Sequence, residues 1–183
     1  MSRREELVAG ATDYALEHGL VGLSLRPLAA ALGTSDRMLL YHLGSKDELL
    51  AAIIAESSDR LVAELRALPP SHSPGDAVRD QWRLRTSGHQ SRCERLYVEA
   101  STLGLFGDEP YATAVAASNA RWKAAVRDHL AASGVPVERV SLVTPLVDAA
   151  FMGFELDLPL DRHEAETGVE ALAEAVELLS REP

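Results

Sequence analysis

Between Gly33 and Lys46 the chain reads "GTSDRMLLYHLGSK". Among the side chains that can donate hydrogen bonds toward acceptors are Arg37, Tyr41, His42 and Lys46. A guanidinium is a planar fork of donors, and it fits adjacent acceptors such as guanine O6 and N7. A phenol, an imidazole and an ammonium suit single phosphate oxygens, which position a protein without reading sequence. Leu40 has the right character for a thymine methyl.

Other chemistries find little support. The six histidines (18, 42, 72, 89, 129, 163) are scattered, and no H-E-x-x-H or Cys-x-x-Cys spacing occurs. His89 and Cys93 share a helical face, but two ligands do not make a metal site. A Gly-rich phosphate loop and G-x-S-x-G are both missing from the sequence, so neither an enzyme nor a cofactor is expected. The lone Cys93 excludes an internal disulfide. No apolar run approaches the roughly 20 residues of a membrane span. The first ten residues, "MSRREELVAG", lack a signal-peptide core, so a cytoplasmic location is expected.

The formal net charge of −10 argues against a polyanionic partner until it is resolved along the chain. Residues 1–46 carry five basic groups (Arg3, Arg4, Arg26, Arg37, Lys46) and five acidic ones (Glu5, Glu6, Asp13, Glu17, Asp36). The whole excess of negative charge therefore lies beyond residue 46. A neutral head on an acidic body permits contact with DNA but does not by itself suggest it.

The elements that must hold Arg37 in place are helical. Leu7, Ala11, Tyr14, Ala15 and Leu16 predict an amphipathic helix over about 4–18, stopped at Gly19. Ser24 can cap a second helix, with Pro27 harmless in its first turn and Gly33 ending it. Ser35 or Thr34 caps a short third helix running to about His42, with Met38 or Leu39 and Leu43 on its buried side. Ser45-Lys46-Asp47-Glu48 is a capping-box pattern opening a fourth helix to about Leu68. Two short helices about a tight glycine turn, braced by a third, are the parts of a helix-turn-helix. After the break "PPSHSPG", helices are expected near 76–88, 92–106, 110–133, 136–157 and 164–181. No segment shows the period-two alternation of a strand. The expected fold is all-α, about nine helices. Its parts are a head over 1–46, a connecting helix over 47–68, a linker over 69–75 and a helical body over 76–183.

The stretch "ATDYALEHGLVGLSLRPLAAALGTSDRMLLYHLGSKDELL" resembles the N-terminal domain of the TetR (tetracycline-repressor-like) transcriptional regulators in order, spacing and residue type. The resemblance implies base contacts from Arg26, Asp36, Arg37, Met38 and Leu40, and phosphate contacts from Tyr41, His42 and Lys46. With the cap Ser35, these form the expected DNA-binding set. Leu40 stands where the family usually has tyrosine, Leu43 where it has an aromatic, and Asp36 brings a negative charge toward the groove.

The resemblance further implies that the body binds a small-molecule effector and forms a homodimer. Compatible lining residues are Trp82, Leu96, Tyr97, Leu103, Phe106, Trp122, Phe151 and Phe154, with polar groups Arg85, Glu99, Asn119 and Asp148. The last two helices are apolar nearly all round, which calls for a second packing partner. Leu142, Leu146, Val147, Val169, Leu172, Val176 and Leu179 are the expected dimer residues. The function expected is a ligand-responsive regulator, a repressor binding a palindromic DNA operator as a dimer. Two other classes stay open: a helical protein-interaction module that has lost DNA binding, and a small helical enzyme.

Overall fold

The computed structural model describes residues 2–181, and among them there are nine helices and no strand. They are α1 (Arg3–His18), α2 (Leu25–Ala31), α3 (Asp36–Leu43), α4 (Lys46–Ala67), α5 (Pro74–Arg85), α6 (Gly88–Leu105), α7 (Tyr111–Ala132), α8 (Val137–Asp157) and α9 (Arg162–Leu179). No described helix is long and apolar enough to cross a membrane. The all-α expectation holds, with element ends within a few residues of those predicted.

The helix ends follow from local chemistry. Ser35 accepts a hydrogen bond from the Met38 N–H at 3.2 Å and so starts α3. Gly44, at φ 87°, stops it, and a Cβ there would collide with the Glu48 carboxylate. The predicted capping box forms: the Ser45 N–H donates to Glu48 Oε2 at 2.7 Å, and the Glu48 N–H donates to Ser45 Oγ at 3.2 Å. The Ser45 backbone bond, followed by its side-chain bond, holds the Glu48 carboxyl below its ordinary value of 4.5. A depressed carboxyl stabilises the fold above its unfolded pKa and loses that contribution only as acid protonates it. Ser24 sits at the predicted N-cap of α2, but its side chain makes no capping bond. Here Pro27 has removed one of the donors that such a cap would serve. Pro74 and Gly75, read as linker, instead open α5, where Ser73 caps the Asp76 N–H at 3.1 Å.

The chain forms two compact units. The first comprises the residues up to Leu61 together with Gly88–Ala120. Compactness thus does not follow chain order, and side-chain bonds account for it. Glu99 of α6 accepts from the Leu20 N–H at 2.6 Å and from the Val21 N–H at 3.1 Å, while Arg95 donates to the Leu16 carbonyl at 3.0 Å. The Arg95 bond satisfies a carbonyl that α1 leaves over at its C-terminal end, and the Glu99 bonds satisfy amides of the turn that follows. Along α1, Arg60 of α4 donates to Asp13 at 2.6 Å and to the Ala9 carbonyl at 3.4 Å, with Glu56 beside it at 2.9 Å. Gly10 has the Leu32 side chain 2.7 Å from where a Cβ would stand, so a larger residue there would make that side chain shift.

The second unit comprises Val62–Ser87 and the chain from Arg121 onward. In it α9 packs on both α5 and α8. Its core includes Val78, Trp82, Val126, Leu130, Val143, Val147, Phe151, Val169, Leu172 and Val176.

Replacing Glu99 by alanine leaves the Leu20 and Val21 amides without their acceptor. A loss of about 1–3 kcal/mol is expected in chemical denaturation. Native-state hydrogen exchange should show those two amides opening faster, and unchanged protection there would overturn the clamp.

Candidate nucleic-acid interface

α3 is eight residues long with a sharply one-sided burial pattern. Leu39 is fully buried, Leu43 nearly so, and both belong to a core that includes Leu28, Ala29, Leu7 and Leu16. α1 and α2 both pack against α3. With that face fixed, Arg37 and Tyr41 lie exposed on the other, Asp36 is exposed at the first position of the helix, Met38 is 44% exposed, and Leu40 and His42 are half-buried. Of the two alternatives for the inner position, Leu39 fills it and Met38 does not. Arg26 on α2 and Lys46 at the first position of α4 are also exposed, as is the cap Ser35.

Arg37, Arg26 and Lys46 make no hydrogen bond or ion pair among the described residues. Arg37 therefore does not pair with its neighbour Asp36, the bland alternative for a surface arginine. The Tyr41 and His42 rings meet edge to face, with centroids 5.2 Å apart. The nine predicted residues all fall in the first unit, on α2, α3 and the cap residues and first turn beside them. A helix of eight residues is about 12 Å long. That matches the width of a major groove, also about 12 Å.

The predicted effector residues are divided between the two units. Leu96, Tyr97, Glu99, Leu103, Phe106 and Asn119 belong to the first unit, and Trp82, Arg85, Trp122, Asp148, Phe151 and Phe154 to the second. Glu99 is spent on the end of α1, Phe106 is 79% exposed, and Asp148 pairs with Lys123 at 3.3 Å. In the second unit the aromatic residues do cluster. Trp82 lies 5.5 Å from Phe151 and 6.1 Å from Phe154, and Arg85 sits over Trp122 at 4.8 Å and Phe151 at 5.5 Å. Glu155, which the sequence did not single out as a site residue, takes Arg85 in a two-point salt bridge at 2.5 and 2.9 Å.

The expected dimer residues divide as well. Val147, Val169, Leu172 and Val176 are buried in the chain's own core, because α9 turns that stripe toward α5 and α8. They are corrected from surface to core. Leu142 (52% exposed) and Leu146 (41%) stay on the surface, and Leu179 is half-buried. The exposed apolar face of α8 is Leu142, Leu146, Ala149, Gly153 and Leu156, alternating four and three residues apart. On α9, Ala171 and Leu178 are exposed and Ala175 is half-buried.

Residues 7–53 match the family model of the bacterial regulatory proteins, tetR family. The HTH-type transcriptional regulator RutR of Escherichia coli (strain K12) is 28% identical over 102 residues, 56% of this chain and 46% of RutR. The chain thus spans about half the length of this curated relative. Among solved structures, a TetR-family transcriptional regulator from Rhodococcus sp. superposes with a TM-score of 0.77 at 17% identity, over 98% of each chain. The multidrug binding protein EbrR, complexed with imidazole, gives a TM-score of 0.69 at 23% identity, over 100% of this chain and 97% of that one. At such identities the two structures establish the fold, and they do so along essentially the whole length. The matched residues take in most of α1 and all of α2 and α3, so the part of the chain that presents Arg37 is similar to the tetR family of bacterial regulatory proteins.

Proposed function

We propose that the chain is a ligand-responsive transcriptional regulator, a repressor that binds a palindromic operator as a homodimer, and not an enzyme. The observation that carries this is an exposed, unpaired Arg37 on a short helix fixed at both ends. Arg37 reads guanine through O6 and N7. Asp36, Met38, Leu40 and Arg26 reach neighbouring base edges, while Tyr41, His42 and Lys46 hold phosphates. The DNA-binding part is 1–46, α4 connects it onward, and the effector and dimer surfaces lie beyond residue 76. RutR and the Rhodococcus protein are described as transcriptional regulators, and EbrR as a multidrug binding protein, which supports both DNA and a small-molecule effector as partners. A protein that acts on operator DNA works in the cytoplasm.

The exposed four-three stripe of α8, with Ala171, Ala175 and Leu178 of α9, is the surface we assign to the second copy. Such spacing suits a seam between helices, and two helices from each copy make a four-helix bundle. Recognition helices of the two copies must then stand about 34–36 Å apart to enter successive major grooves. A ligand releases DNA by favouring a state in which that distance is wrong.

A gel shift with DNA flanking its own gene tests the reading, and no retarded band on any such fragment would overturn it. Arg37→Ala is expected to keep the fold and lose discrimination among operator variants. Selection from random DNA that returned the parent's site from this variant would remove Arg37 from the readers. For Lys46→Ala, binding should weaken on all sequences alike, and the slope of log K against log salt should fall by roughly one unit. An unchanged slope would take Lys46 out of the phosphate contacts. Leu142→Glu with Leu146→Glu should convert dimer to monomer in analytical ultracentrifugation, with secondary structure intact. A dimer that survived both charges would place the interface elsewhere.

A further inference from the structure

We infer that the second unit holds a binding site for a small organic carboxylate, in which the ligand takes the place of Glu155 on Arg85 and accepts from the Trp122 indole N–H. This rests on the proposal that the body binds an effector, and it names the chemical class of that effector.

The groups stand together on three helices. Arg85 of α5 has a side chain only 3% exposed, lying over the faces of Trp122 of α7 and Phe151 of α8. Glu155, on the last turns of α8, grips it at both oxygens. Withdrawing two charges from water costs several kcal/mol per ion, and well-packed apolar residues often serve stability as well or better. Stability alone therefore gives little reason for such a pair. The second observation is the Trp122 indole nitrogen, which is buried and has no acceptor, in a residue only 8% exposed. A buried N–H without an acceptor is costly, and the deficit names what is missing: an oxygen with lone pairs.

The sign of the ligand follows from which partner can leave. An organic cation would have to evict a guanidinium packed between two aromatic faces. A carboxylate has only to displace Glu155, whose side chain is the more exposed of the two at 9% and lies near the end of α8. The incoming carboxylate keeps the charge balance on Arg85 and adds the acceptor that Trp122 lacks. A neutral ligand does neither job fully, because it does not replace the charge that Glu155 brings to the buried guanidinium. Trp82 and the half-buried Phe154, 6.1 Å apart, supply flat apolar surface for the remainder of the molecule. The exchange repacks α8, whose outer face is the stripe we assign to the second copy. Occupancy of the site can in this way act on the spacing of the two recognition helices.

Both tryptophans of the chain lie in this cluster, so intrinsic fluorescence reports on the site without a label. The full-length protein should be titrated with benzoate, with its neutral isostere benzamide and with the cation benzamidine. The expected result is a saturable fluorescence change and a raised melting temperature with benzoate, and binding about tenfold weaker or worse with benzamide. Glu155→Gln removes the internal competitor, so it should bind benzoate about tenfold more tightly than the parent does. Trp122→Phe keeps the ring under Arg85 but loses the donor, and should weaken benzoate while Trp82 still reports. The inference is overturned if benzoate gives no saturable change, if benzamide binds as well, or if benzamidine binds best. Should Glu155→Gln fail to fold, the comparison of parent with Trp122→Phe decides, and equal benzoate affinity in the two overturns it. Gel shifts without additive separate the outcomes. Intact operator binding with no benzoate response sinks this inference alone, and absent operator binding sinks the regulator reading whatever benzoate does.

Discussion

The presentation of Arg37 depends on the burial of two leucines, Leu39 and Leu43, on the opposite face of one short helix. An isolated helix of eight residues has no stability of its own in water. α3 exists because those side chains reach a core with Leu28 and α1, and because its ends are closed by Ser35 and by the Gly44–Ser45 corner. The same constraint sets the direction of everything else on the helix. With Leu39 inward, residues two positions before it and two after must point away, and those are Arg37 and Tyr41. The head therefore needs no cluster of cations to set which side chains face outward. One packing decision makes the selection, which is how a head with no net charge can still offer donors where they count.

Much of this was legible in the sequence because it is local. The capping box at Ser45, the stops at Gly19, Gly33 and Gly44, and the leucine spacing in α3 each involve residues within five positions of one another, and each gave the element observed. What escaped was tertiary. Glu99 bonds to amides 79 and 78 residues away, and Arg85 meets Glu155 across 70, with no spacing rule to connect them. The grouping of α6 with the head follows from such bonds and has no counterpart in composition. The dimer residues went astray for a related reason. α9 carries apolar residues on two sides, and periodicity reveals that there are two stripes without saying which meets the chain's own core. Val169, Leu172 and Val176 proved to be the inner one, which leaves Leu178 and Ala171 outside.

α8 joins two kinds of demand in one element. Val143, Val147 and Phe151 face inward, Leu142, Leu146 and Leu156 face outward, and near its last turns Glu155 holds a buried guanidinium. A helix packed on one side only can shift with little consequence. One that is packed on both sides and pinned by a charge must move both surfaces together, because close-packed interiors do not deform continuously. On the proposed reading, that coupling is what would let α8 link an internal ligand to a second copy.

Asp36 is the residue that most invites the opposite reading, since a carboxylate aimed at a groove repels phosphates. Its position gives it a different reason to be there. It is the first residue of α3, where the partial positive charge of the helix N-terminus favours an acid by about 0.3–1 kcal/mol. For a helix this short, with one side-chain cap at Ser35, that is a sizeable share of what keeps the first turn closed. The same turn sets the angle at which Arg37 leaves the surface. An acid beside Arg37 thus stabilises the scaffold that presents it, and on the proposed reading it can accept from cytosine N4 opposite a guanine that Arg37 reads. Its charge costs some general attraction to DNA, and the loss falls on all sequences alike. On the proposed reading the gain falls only where the base pair fits, so Asp36 is compatible with a selective head.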